Sequence, residues 1–193
     1  MRKITSVYQD PLEIIWTTTA AKLGMQVIRD PDVFASWDGK GTLRIGEADS
    51  LDPDDSLAQM IFHEICHASV EGPAGFAQPD WGLDISDPSQ LVHERACLRL
   101  QAALANKFGL REFLGATTDS RIYYDRLPED PLQGTEPAAV LAASGWDRIT
   151  SGKWAGKWDK VLIEALESTA IIAKVIQPFA SSKSLWLKYQ RQA

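Results

Sequence analysis

The spacing of apolar positions changes character several times along the chain. Leu12, Ile15, Trp16 and Leu23 share one helical face, with Thr19 between them. Asp10-Pro11 opens this helix, since proline suits the first helical position, and Gly24 marks its end. Three short strand-like runs follow: Met25–Arg29, Val33–Trp37 and Thr42–Gly46. Asp30-Pro31-Asp32 separates the first two, and Asp38-Gly39-Lys40-Gly41 separates the second and third as a hairpin turn would. The pattern predicts a small meander whose last strand, Thr42–Gly46, forms an edge beside the following helix.

Leu51–Asp55 is polar and turn-rich, and Asp54, Asp55 or Ser56 can cap a helix that runs to about Val70, where Gly72-Pro73 stops it. Residues 71–88 are rich in Gly, Pro and Asp and read as a long ordered loop around Trp81. A second helix spans about Gln90–Phe108, capped by Asp87 or Ser89, with Leu91, Cys97, Leu98, Ala102 and Leu104 on or near its apolar side. Gly109–Gly134 reads as irregular, with Arg121–Asp125 as an extended piece. A short helix is expected over Glu136–Ser144, a longer one over Lys157–Ile176, and a last turn or two over Leu185–Arg191. Trp146, Trp154 and Trp158 are expected to cluster in the core or on a docking face.

The predicted class is α+β: a small N-terminal three-stranded sheet packed on two consecutive helices, followed by a helical C-terminal part. At 193 residues the chain amounts to about one domain. The division expected within it is a metal-binding core over residues 1–108 and a mainly helical extension over 109–193 packed on it. The formal net charge of -6 argues against a nucleic-acid backbone or an anionic membrane as partner. No apolar run reaches the roughly 18 residues of a membrane span, and no apolar stretch follows Arg2 and Lys3 as in a secretory signal, so the expected location is cytoplasmic. Two cysteines, Cys66 and Cys97, are too few for a disulfide framework and read as small buried residues, with a ligand or redox role as the alternative.

The chemistry concentrates in His63-Glu64-Ile65-Cys66-His67, an H-E-x-x-H motif inside the apolar run that begins at Leu57. Residues four apart share a helix face, so both imidazoles can point at one ion, while Glu64 projects beside them to take a proton from an activated water. The third and last histidine, His93, lies beside Glu94 in the next helical pattern. A catalytic zinc takes three protein ligands, and the third is open to Glu94, His93, Asp84 and Asp80. Glu94 is favoured because a helix packed antiparallel to the motif helix would deliver it rigidly. His93 and Glu94 stand about 100° apart around their helix, so they do not both face the ion. Tyr123, Tyr124 and Arg121 are candidate donors to the oxyanion of the reaction.

The order of helix, short sheet, H-E-x-x-H helix, loop and glutamate helix resembles the zincin fold, specifically its gluzincin branch. Phe62-His63-Glu64-Ile65-Cys66-His67-Ala68 is most similar to the ImmA/IrrE group of metallopeptidases, in which the third ligand comes from an E-x-x-A-x-x-F helix; Glu94, Cys97 and Leu100 occupy those places here. The resemblance covers about residues 11–105. It implies His63, His67 and Glu94 as zinc ligands, Glu64 as general base, and a protein or peptide substrate such as a regulatory repressor. Cys66 departs from the family's glycine, and Leu98 stands where the family often has asparagine and where related enzymes orient a histidine with aspartate. A weaker similarity to SprT-like proteases would instead promote His93, but those bind DNA and this acidic chain has no basic patch or zinc ribbon. The expected function is a zinc metallopeptidase of narrow specificity. The alternatives are an inactive binding or sensory module on the same scaffold and a zinc hydrolase acting on a small molecule.

Overall fold

A computed structural model describes residues 5–84, 86–117, 120–151 and 158–190. Among the described residues it is mixed α+β and mostly helical, with a three-stranded sheet and six α-helices. Among the described residues no helix is long and apolar enough to cross a membrane.

Helix α1 (Pro11–Lys22) begins at Asp10, whose Oδ1 accepts from the amides of Leu12 (2.9 Å) and Glu13 (3.3 Å). These bonds satisfy two of the free amides at a helix N-terminus. Gly24 leaves the helix at φ 88°, a conformation open to glycine at little cost. The strands are β1 (Gln26–Arg29), β2 (Ala35–Trp37) and β3 (Thr42–Ile45), each within the run predicted for it. Their order differs from the expected meander. β3 lies in the middle, parallel to β1 and antiparallel to β2. β3 is therefore not the edge, and β2 is the strand that borders the cleft described below. A period-2 pattern sorts side chains between faces, here Leu43 and Ile45 inward and Arg44 outward, but it does not encode which strand is the neighbour. The β2–β3 turn is held by Asp38 Oδ1, which accepts from Lys40 N (2.7 Å) and Thr42 N (2.9 Å).

Helix α2 (Leu57–Phe76) is capped by Ser56, whose Oγ accepts from Gln59 N at 3.1 Å. It passes beyond the stop expected at Gly72-Pro73. Gly72 (φ 73°, ψ −171°) breaks it, and the chain then resumes a short helical segment with Pro73 in its first turn. The carbonyls freed at the break are taken up by Arg148, which donates to Ser69 O (2.9 Å) and Val70 O. Helix α3 (Leu91–Asn106) runs antiparallel to α2, because contacts at His63, His67 and Glu71 fall on progressively earlier residues of α3.

Arg121–Asp125 forms a short helix, α4, rather than an extended piece. Its five residues are too few for a period to distinguish the two. Helix α5 (Pro137–Thr150) outlasts the expected end at Ser144, and its small inner face (Ala138, Ala142, Gly145) lets it lie close against α2 and α3. Helix α6 (Trp158–Ile176) packs on α1, where Trp16 Nε1 donates to Thr169 Oγ1 at 3.0 Å. Residues of all these helices except α4 share one apolar core with β3. Trp158 is buried near Phe76, and Trp146 lies under Lys107 with its ring 4.5 Å from the ammonium. Trp154 falls outside the described residues.

Candidate metal centre

His63 and His67 lie one turn apart on the inner face of α2, their rings edge to face with centroids 4.7 Å apart. Glu94, from the first turn of α3, meets both. His67 Nε2 stands 3.0 Å from Glu94 Oε2, and His63 Nε2 stands 3.7 Å from Glu94 Oε1. The two Nε2 atoms thus converge on one carboxylate. Ser120 adds a hydroxyl 3.4 Å from Glu94 Oε1.

The electrostatics follow from this convergence. Burial pushes the Glu94 carboxyl up, but the charge on His63 and the hydrogen bond and charge of His67 outweigh it and hold its pKa at about 2. Burial likewise pushes His67 down, and the Glu94 bond, with the charges of Glu94, Glu64 and Glu71, overcomes it and holds His67 above its usual value. His67 Nδ1 is buried without a partner among the described residues.

Glu64 is 7% exposed and accepts from Trp81 Nε1 at 2.8 Å. Trp81 is placed by a turn in which Asp80 (φ 46°) and Trp81 (φ 62°) are both left-handed, a conformation costing a non-glycine residue roughly 1–2 kcal/mol. Two anchors hold that turn. Trp81 stacks on Trp37 of β2 (centroids 5.0 Å, planes 3° apart), and Asp80 Oδ1 accepts from Trp37 N at 3.0 Å. Strain of this kind gathers where a side chain must be aimed, and here the indole is aimed at Glu64.

A cavity of about 870 Å³ opens over these groups. The two histidines, Glu64 and Glu94 line its floor; Phe34, Ala35 and Ser36 of the β2 edge line one side. The register of β2 with β3, with Phe34 O and Asp38 N bonded to Gly46 N and Thr42 O, places the amide and carbonyl of Ala35 on the outer side of the strand.

Of the alternatives for a third ligand, Asp80 is engaged at the sheet edge, and Asp84 binds Ser86 N and Oγ through its Oδ1. His93 turns to Glu71, its Nδ1 2.9 Å from both carboxylate oxygens. Tyr123 and Tyr124 do not reach the cavity. Tyr123 Oη accepts from Arg99 Nε (3.0 Å), and Tyr124 is fully buried with its hydroxyl donating to Arg111 O (3.0 Å). Arg121 pairs with Glu112 and Asp125.

Besides Ser120, two side chains missed by the sequence reading touch the site. Trp81 is one; the loop's composition located it without indicating its target. Gln101 is the other. It is fully buried, its Oε1 lies 2.9 Å from His63 Nδ1, and its Nε2 donates to Leu114 O at 2.7 Å. Its position seven residues after Glu94, on the same face of α3, was the available signal.

The donor set fits a divalent cation. Three ligands at ~2.0–2.1 Å in tetrahedral arrangement stand roughly 3.3 Å apart, and the separations of 3.0 Å and 3.7 Å straddle that spacing. A second, overlapping group is His63, His67 and Cys97, whose donor atoms all lie within 4.8 Å of one another and could also hold a metal ion. Cys97 Sγ, however, lies 3.6 Å from Nδ1 of His63, donates to His63 O at 3.4 Å, and is driven by burial well towards the neutral thiol. Cys66 is a buried free thiol as well. Comparison with family models, with curated proteins and with solved structures gives no match, so the chemistry of these side chains carries the functional reading.

Proposed function

We propose that this chain is a metal-dependent peptidase of zincin type, related to the ImmA/IrrE group, with His63, His67 and Glu94 as metal ligands and zinc as the metal. The observation that carries the reading is the convergence of both Nε2 atoms on the Glu94 carboxylate with Glu64 beside them in the same cavity. Glu94 is preferred to Cys97 because its carboxylate faces the Nε2 atoms of both histidines, whereas the Cys97 thiol sits beside Nδ1 of His63.

Zinc held by His63, His67 and Glu94 would supply Lewis-acid polarisation of a carbonyl and a water of lowered pKa, near ~7. Glu64, its Oε2 held by Trp81, has Oε1 free to take a proton from water and would pass it to the leaving amine. Trp81 thereby fixes the direction in which the base points. An extended substrate pairs its backbone with Ala35 on the outer side of β2, which favours a peptide over a small molecule. Phe34, Leu83 and Leu91 offer apolar contact to its side chains. With both tyrosines turned away, the described residues supply no phenolic donor to the oxyanion. An unregulated protease is hazardous to its host, so the expected target is one protein, and the expected location is the cytoplasm.

The test is incubation of zinc-loaded protein with a proteome-derived peptide library, with cleavage read by mass spectrometry. Cleavage at a narrow set of sequences, abolished by Glu64→Gln at unchanged zinc content, is expected. Equal cleavage by the Glu64→Gln variant, or none by the wild type, contradicts the proposal.

A further inference from the structure

We infer that Gln101 is a positioning residue that holds His63 in a single tautomer, with the proton on Nδ1 and the lone pair of Nε2 directed at the Glu94–His67 cluster. The inference deepens the metal-site reading and rests on it for the consequence, though the tautomer itself does not.

A main-chain carbonyl only accepts, so the end of the Gln101 amide 2.7 Å from Leu114 O is the NH2 group. That fixes the orientation of the amide and leaves Oε1 facing His63 Nδ1 at 2.9 Å. An amide oxygen also only accepts, so the hydrogen between the two lies on Nδ1. A neutral imidazole carries one such hydrogen, and Nε2 of His63 is then bare.

Burial makes the arrangement stiff. Gln101 is fully buried, and an amide rotated by 180° would set its oxygen against the Leu114 carbonyl, two buried acceptors with no hydrogen between them whichever tautomer His63 takes. Cys97 leaves this assignment unchanged: its thiol donates to His63 O, so towards Nδ1, 3.6 Å away, the sulfur is a weak acceptor that also calls for the hydrogen on Nδ1.

The consequence appears in the spacing at Glu94. A bare Nε2 and a carboxylate oxygen both present lone pairs, and they stand at 3.7 Å, beyond hydrogen-bond distance. His67, whose Nδ1 has no such partner, approaches the other oxygen to 3.0 Å, as a donor does. The two histidines are therefore unequal: His63 is set in advance as a cation ligand, and His67 is not.

Gln101 also answers the departure noted at Leu98. The position assigned by resemblance to a histidine-orienting side chain is here a buried apolar one, packed with Ala102 and Tyr124. Three residues further along α3, Gln101 supplies the missing acceptor, which locates the orienting group at Glu94+7 rather than Glu94+4.

The test pairs a spectroscopic readout with a binding one. Long-range 1H–15N correlation spectra of the metal-free protein, taken at the alkaline end of a pH series where the ring carries one proton, report the His63 tautomer. Gln101→Met keeps the bulk and removes the acceptor. Expected are the Nδ1–H form in the wild type, a shift towards Nε2–H in Gln101→Met, and zinc affinity in the variant lower by about 10–100-fold. An Nε2–H tautomer in the wild type, or zinc affinity of Gln101→Met within twofold of wild type, overturns the inference. If Gln101→Met does not fold, the wild-type spectrum alone decides. A wild type that shows the Nδ1–H form yet binds no zinc refutes the metal reading and leaves the Gln101 lock standing.

Discussion

Replacing Trp81 with phenylalanine isolates the bond that aims Glu64. The ring stays on Trp37 and the left-handed backbone is unchanged, so what is lost is the indole donor 2.8 Å from Glu64 Oε2. A hydrogen bond to a charged group is worth about 1.5–3 kcal/mol. The smaller ring forfeits roughly 1 kcal/mol of buried apolar area besides. Together these destabilise by about 2.5–4 kcal/mol, or a fall in Tm of roughly 5–15 °C for a chain of this size. The two contributions separate in a cycle with Glu64→Gln, followed by far-UV circular dichroism during urea unfolding. In the Glu64→Gln background the bond is neutral and worth about 0.5–1.5 kcal/mol, so Trp81→Phe is expected to cost about 1 kcal/mol less there. An identical cost in both backgrounds would mean that the indole does not act on Glu64, and would refute the positioning role given to the loop.

Stability of the metal-free protein is expected to peak in a window set by the Glu94–His67 pair. The folded-state pKa of Glu94 is depressed from 4.5 to about 2, so its contribution is present above 4.5 and is lost as pH falls towards 2. The pKa of His67 is raised from 6.5, so its contribution is complete below 6.5 and is lost as pH rises through the folded value. Thermal unfolding in chelator should show a maximum between these limits that flattens in Glu94→Gln; an unchanged profile in the variant contradicts the coupling. Gly72→Ala forces a Cβ onto a residue at φ 73° and within 3.2 Å of the Arg148 guanidinium carbon, and is expected to cost about 1–3 kcal/mol by urea denaturation. A cost near zero would show that the break in α2 tolerates a side chain.

The sequence made the helices and the motif legible because their information is local. Asp10, Ser56 and the apolar spacing of α1, α2 and α3 act within a few residues of themselves. Strand order was not legible: Leu43 and Ile45 alternate with Arg44 whether β3 is an edge or the centre. Glu94 was within reach of sequence reasoning because antiparallel helices pair residues at predictable offsets. The place of Gln101 on the Glu94 face of α3 was legible, but its role and that of Trp81 were not, since each acts through a contact between distant segments, Gln101 with Leu114 and Trp81 with Glu64. The tyrosines of α4 were nominated for their hydroxyls, and tertiary packing committed both hydroxyls elsewhere.

The proposed metal set joins Glu94, and not Cys97, to His63 and His67. X-ray absorption at the zinc edge of the zinc-loaded protein separates the two, because nitrogen and oxygen ligands lie at ~2.0–2.2 Å and a thiolate at ~2.3 Å with far stronger scattering. Two imidazoles and oxygen are expected in the coordination shell of the zinc, with no sulfur. A zinc–sulfur distance in that shell, or protein that retains no zinc, would contradict it.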